Sequence, residues 1–169
     1  MTGTPPPQGD PAAARVDIAR AIGTVMALVP CGTKTARHVL ARTARTTGGD
    51  TCRAAEAVLD LIHGRDPEDP AQQALRTAIS AARTLPGPPL PRLRPDGGVL
   101  RAHLARLRTL RRHALTAPAD PAVQARLDDA AHSLCALVGS RTPHAALQNA
   151  GRILAERSEE ARARDTAGA

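Results

Sequence analysis

Arginine is the residue type with the most binding chemistry in this 169-residue chain. Lysine and arginine total 23, Lys34 is the one lysine among them, and the formal net charge is +7. A guanidinium group keeps its charge at physiological pH and binds phosphate through two parallel hydrogen bonds. The composition therefore fits a partner that carries phosphates, although charge alone does not require one.

Two sets of polar and basic residues are candidate phosphate contacts. The first set lies in the N-terminal half and consists of Arg20, Lys34, Arg37, Arg42, Arg45, Thr47 and Arg53. The second is a basic patch formed by Arg101, Arg108, Arg111 and Arg112. It belongs to the stretch from Arg92 to Thr116, in which Asp96 is the one acidic residue. This patch fits three interpretations: the solvated face of an amphipathic helix, a nucleic-acid contact or, with least support, an anionic membrane surface.

Other chemistries have little support in the sequence. The aromatic content is 0%, so the chain cannot stack bases on aromatic rings as many single-strand binders do. His132 and Cys135 lie one helical turn apart, but no further histidine or cysteine completes a metal site. Asp128 and Asp129 are adjacent and point in different directions on a helix, so they cannot form an acid/base pair. We predict no enzymatic activity, no metal and no cofactor.

The cysteines and the length of the apolar runs predict the cellular compartment of the protein. Cys31, Cys52 and Cys135 form no CxxC pair and are odd in number, which is typical of reduced thiols in the cytoplasm. No run approaches the roughly 18 to 20 apolar residues that cross a bilayer. We therefore predict a cytoplasmic protein without a membrane partner.

The elements that would position these residues are all helical. Alanine, leucine and arginine dominate and aromatic strand formers are missing, so the sequence predicts an all-α fold. Apolar spacing and capping residues predict helices over about 14–29, 33–47, 51–64, 70–85, 99–116, 121–138 and 143–162. Three of them begin with a capping oxygen followed by proline, at Asp69-Pro70, Asp120-Pro121 and Thr142-Pro143.

Proline-rich segments indicate the domain boundaries. We predict a disordered leader at 1–13, a first helical domain at 14–85, a Pro/Gly-rich linker at 86–98, a second helical domain at 99–164 and a disordered tail at 165–169. The expected architecture is a three-helix bundle with a fourth helix, then the linker, then an antiparallel three-helix domain.

One spacing pattern in the N-terminal half resembles a known family. It consists of Ile18-x-x-Ala21-x-Gly23-x-x-Met26, then Ala36-x-x-x-Leu40-x-x-x-Ala44, then Ala54-Ala55-Glu56-Ala57-Val58. Read without gaps, this pattern resembles the ANTAR domain, a three-helix module of bacterial transcription antitermination. The resemblance implies binding of hairpins in leader transcripts, so that a terminator cannot form.

The chain departs from that family at polar and turn positions. It has Ile22 before the glycine, Gly48 at the turn, and then Asp50 and Thr51 where the family has a basic residue and a leucine. These departures motivate an alternative, in which a degenerate ANTAR-like bundle serves as a homodimerisation or protein-interaction module without RNA binding.

The C-terminal third has a resemblance of its own. The stretch from Arg126 to Cys135, with Gly139-Ser140-Arg141 after it, resembles a small actinobacterial helical domain of unknown function. That resemblance implies no activity.

Overall fold

A computed structural model describes residues 11–65, 69–83 and 95–167. These residues form helices and no strand, so the all-α prediction is confirmed. No helix in these ranges combines the length and apolar content needed to cross a lipid bilayer. In chain order the helices are α1 (Pro11–Leu28), α2 (Thr33–Thr47), α3 (Thr51–His63), α4 (Pro70–Arg83), α5 (Gly97–Thr116), α6 (Pro121–Val138) and α7 (Pro143–Ala167).

Local capping chemistry sets most helix ends where the sequence predicted them. Helices α4, α6 and α7 begin at the three predicted prolines. The Asp50 carboxylate accepts a hydrogen bond from the Arg53 N–H at 2.8 Å and caps α3. Helix α2 ends at Thr47, and the next residue, Gly48, has a φ of 65°, a left-handed conformation that glycine adopts without steric cost.

Three predicted boundaries shift in the structure. Helix α1 begins at Pro11, inside the predicted leader, because proline fits the first turn of a helix. Helix α5 begins at Gly97, inside the predicted linker, because the Asp96 carboxylate accepts from the N–H of Gly98 at 2.7 Å. Helix α7 runs to Ala167, through part of the predicted tail. The rest of the predicted leader, residues 1–10, the last two residues of the predicted first domain, 84–85, and most of the predicted linker, 86–94, lie outside the described residues.

Helix α1 is the centre of the packing. It contacts α2 and α3 of the N-terminal half and α5 and α6 of the C-terminal half. Every residue from Ala21 to Ala27 is therefore buried, as expected for a helix enclosed on all sides. The division into domains at 14–85 and 99–164 stays a prediction. The two regions contribute to one continuous apolar cluster across α1.

A glycine allows the C-terminal half to approach α1. A Cβ atom at Gly23 would lie 1.9 Å from the carbonyl oxygen of Pro118, in the loop between α5 and α6. The group that approaches Gly23 is therefore loop backbone and not a side chain of another helix. The Gln124 side-chain amide links α1 to this loop, because it donates to the carbonyl of Ala19 at 2.9 Å and to that of Pro118 at 2.7 Å.

Candidate nucleic-acid interface

Helix α2 presents a basic face to solvent. Its inward side consists of the buried residues Ala36, Val39, Leu40, Thr43 and Ala44. This apolar stripe turns the charged residues outward, since positions three and four apart share one side of a helix. The exposed residues of α2 include all four of its permanent cations, Lys34, Arg37, Arg42 and Arg45.

These four cations have no ion-pair partner within the described residues, although Asp128 of α6 lines a groove together with Lys34 and Arg37. Helix α2 contains no acidic residue, and neither does α4, the helix with which it packs most extensively. None of the four cations takes part in an ion pair in the described part of the chain. The charge on this face is therefore available to an anion from outside.

Two shallow grooves border the basic face. One lies between α2 and α4 and is lined by Thr35, His38, Val39, Arg42, Ala78, Ala81 and Ala82. The other lies at the start of α2 and is lined by Thr33, Lys34, Arg37, His38, Ala41 and Asp128. His38 borders both grooves, although the sequence did not single it out as a contact.

The other predicted contacts of the N-terminal set engage groups of the chain itself. Arg20 lies 3.5 Å from the Asp17 carboxylate, and Arg53 lies 3.5 Å from the Glu56 carboxylate, each pair within one helix. The Thr47 hydroxyl bonds to the carbonyl oxygens of Thr43 and Ala44 near the end of α2. These three residues therefore differ from the four cations of α2, which have no ion-pair partner in the described residues.

The second predicted patch is divided by the structure. Arg101, Arg108 and Arg112 are exposed, and their spacing of seven and four residues places them in one row along α5. Arg111 points inward. Its Nε donates to the Ala27 carbonyl at 2.7 Å and its Nη2 to the Leu28 carbonyl at 3.3 Å, and burial lowers its pKa.

The Arg111 hydrogen bonds satisfy carbonyls at the C-terminal end of α1. The last carbonyls of a helix have no partner within that helix, and a cation there also complements the helix dipole. Arg111 therefore has a structural role in joining α5 to α1. A signal for this was present in the sequence, because Arg111 follows the buried Leu104 and Leu107 by seven and four residues.

The sequence did not indicate that Asp128 lies beside the basic face of α2. It belongs to α6, yet its carboxylate lies beside the start of α2 and lines the groove there. The Cys31 thiol is buried nearby, and burial together with the Asp128 charge raises its pKa to about 12. Burial also raises the pKa of Cys135 to about 11. Both thiols are therefore protonated at neutral pH and poorly nucleophilic.

The described residues contain no group of three or more His, Cys, Asp or Glu side chains that could hold a metal ion. His132, which the sequence paired with Cys135, instead has its Nδ1 3.0 Å from the carbonyl oxygen of Asp128 and 3.4 Å from its carboxylate.

A comparison with known protein families finds a match to part of the C-terminal half. Residues 93–157 match a family model described as a protein of unknown function, DUF5133. This segment contains α5, α6 and part of α7, and it includes the residues that carry the C-terminal resemblance. No curated protein and no solved structure matches the chain.

The ANTAR resemblance is wrong. No model of that family matches, and the family model that does match covers residues 93–157, in the C-terminal half. The residues that carried the resemblance explain the error, since Ala21, Met26, Ala36, Leu40 and Val58 are all buried in the bundle. Small apolar residues at this spacing fill the core of any compact helical bundle, so their pattern does not identify one family.

Proposed function

We propose that this chain is an RNA-binding protein that holds the phosphates of an RNA hairpin on the exposed face of α2. The observation that carries the proposal is the set of four exposed cations on this acid-free helix, with no ion-pair partner in the described residues. From Lys34 to Arg45 they extend over about 16 Å at 1.5 Å per residue. That length reaches several consecutive phosphates of one strand.

The absence of aromatic residues favours folded RNA over extended single strands. Without aromatic rings, affinity must come from phosphate contacts, from shape and from arginine planes. A hairpin stem supplies closely spaced phosphates in a fixed geometry, which suits a rigid helix with cations at fixed positions. The groove beside Arg42 and His38 would lie next to the bound backbone.

The row formed by Arg101, Arg108 and Arg112 is a second, weaker phosphate contact in this proposal. Control of transcription by antitermination was implied by the ANTAR resemblance alone, so we propose RNA binding and not antitermination. We place this activity in the cytoplasm because the three cysteines are free.

A second candidate function is protein interaction or dimerisation. It is favoured by Leu115, which is 48% exposed beside Arg108 and Arg112 in a groove that also includes Ala27. Leu28 is 39% exposed at the end of α1. Apolar side chains among arginines are typical of protein interfaces.

A titration of full-length protein with a labelled RNA hairpin tests the primary proposal. Fluorescence anisotropy at several salt concentrations should show binding that weakens as salt rises. Four phosphate contacts predict a slope of log K against log salt of roughly −2.8 to −3.6. Equal affinity for the hairpin and an unstructured RNA of the same length and composition would overturn the preference for folded RNA.

Light scattering over a concentration series tests the second candidate. That candidate predicts oligomers that grow with protein concentration and no binding to the hairpin. A monomer that binds the hairpin would remove it.

A further inference from the structure

Asp128 occupies the position where α2 would otherwise bind an anion most strongly. The first N–H groups of a helix lack partners within the helix, and the helix dipole makes this end positive. In α2 the capping position is Gly32, which supplies no side-chain hydrogen bond. Lys34 and Arg37 add two positive charges at the same end.

Gly32 is what allows the Asp128 carboxylate to come this close. A Cβ at residue 32 would lie 2.4 Å from Oδ1 of Asp128, so a side chain there would displace the carboxylate. This contact joins α6, in the segment that matches the family of unknown function, to the start of α2. The chain thus brings a negative charge from a distant element to the end of its own basic face.

Hydrogen bonding within the protein does not account for this placement. Oδ1 of Asp128 is buried and accepts no hydrogen bond among the described residues. The charged and titratable groups around the carboxylate are Lys34, Arg37 and His38 of the groove, His132 of its own helix and the thiol of Cys31. The ion pair that Oδ1 makes with Nδ1 of His132 is long, at 3.4 Å.

We propose that Asp128 acts as an internal competitor for phosphate at the N-terminal end of α2. This inference rests on the proposed RNA binding by the α2 face. The carboxylate repels a phosphate that approaches Lys34 and Arg37, and it thereby weakens the phosphate contacts of these two residues relative to those of Arg42 and Arg45. Asp128 is a positioning residue in this scheme, because it acts through electrostatic repulsion and makes no contact with bound RNA.

Neutralising Asp128 tests the inference, and the chain offers a matched control. Asp128→Asn removes the charge at the groove, while Asp129→Asn makes the same change at the adjacent exposed residue of α6. Two unit charges about 4 Å apart interact by about 1 kcal/mol in water, so the hairpin should bind Asp128→Asn about five- to tenfold more tightly. Asp129→Asn should change affinity less than about twofold, since it lies away from the groove.

A second variant checks that the effect acts through the proposed groups. In a Lys34→Ala/Arg37→Ala background, the gain from Asp128→Asn should disappear because the site that it opens is gone. Equal gains from the two asparagine variants, or a gain that persists in this background, would overturn the proposal. So would loss of the helical circular dichroism signal in both Asp128→Asn and Asp128→Ser, since that outcome assigns the carboxylate to folding.

Inorganic phosphate separates this inference from the RNA proposal. We expect titration of Asp128→Asn with phosphate to shift the backbone amide resonances of Thr33 and Lys34, and the same titration of the unaltered protein to leave them in place. This result would stand even if no RNA hairpin bound. Conversely, hairpin binding by the unaltered protein with no phosphate effect in the variant would overturn the role of Asp128 alone.

Discussion

Helices α2 and α5 have similar compositions, but the structure uses their arginines differently. Both helices are rich in arginine and contain no acidic residue. All four permanent cations of α2 face solvent, whereas α5 directs Arg111 inward to the carbonyls of Ala27 and Leu28. The difference follows from their neighbours, because α5 passes the end of α1, where carbonyls need donors. A count of charges therefore cannot distinguish a binding surface from an internal cap.

Charge reversal on α2 should have the largest effect on RNA binding. We expect Arg42→Glu/Arg45→Glu to lower affinity for the hairpin roughly 30- to 100-fold, because two contacts are lost and two repulsions are gained. Fluorescence anisotropy measures the change. The double variant Arg162→Glu/Arg164→Glu on α7 alters net charge equally and is the control. Similar losses in the two variants would mean that net charge, not the α2 face, governs binding.

Truncation of Arg111 should affect stability. Arg111→Ala removes both hydrogen bonds to the end of α1, and we expect the free energy of unfolding to fall by about 1 to 3 kcal/mol. Arg108→Ala, on the exposed row of the same helix, should change it by less than about 0.5 kcal/mol. Urea denaturation followed by circular dichroism measures both. Equal midpoints for the two variants would remove the structural distinction between these arginines.

The exposed row of α5 should contribute less to RNA binding than α2 does. We expect Arg108→Glu/Arg112→Glu to lower hairpin affinity about threefold, because the row would meet RNA only as a secondary contact. The anisotropy titration used for α2 gives a direct comparison. A loss as large as that of the α2 variant would make α5 the primary surface.

The smallest effect is expected where arginines already have partners. Arg20 and Arg53 lie beside Asp17 and Glu56, so Arg20→Ala and Arg53→Ala should each change hairpin affinity less than about twofold. A tenfold loss of hairpin affinity in either variant would show that this arginine leaves its carboxylate partner and contacts RNA. The contact face would then extend beyond α2.

The fold was largely predictable because its signals are local. Composition predicted the all-α class, and a capping oxygen before proline predicted the starts of α4, α6 and α7. The centrality of α1 was not predicted. The sequence predicted a helix over about 14–29, but it did not show that helices from both halves of the chain would contact it.

The candidate site was predictable only in part. The sequence identified the four cations of α2 as candidate phosphate contacts, and the structure exposes all four. Asp128 was missed because its approach to Gly32 depends on tertiary packing of residues nearly a hundred positions apart. The family assignment failed for a related reason, since core spacing reports packing and carries little information about a ligand.

The salt dependence of hairpin binding by the unaltered protein and by Arg42→Gln/Arg45→Gln tests the central claim most directly. Each phosphate contact contributes about 0.7 to 0.9 to the slope of log K against log salt, so losing two contacts should make the slope shallower by roughly 1.4 to 1.8. Parallel lines for the two proteins would show that these arginines do not contact phosphate, and they would contradict the account.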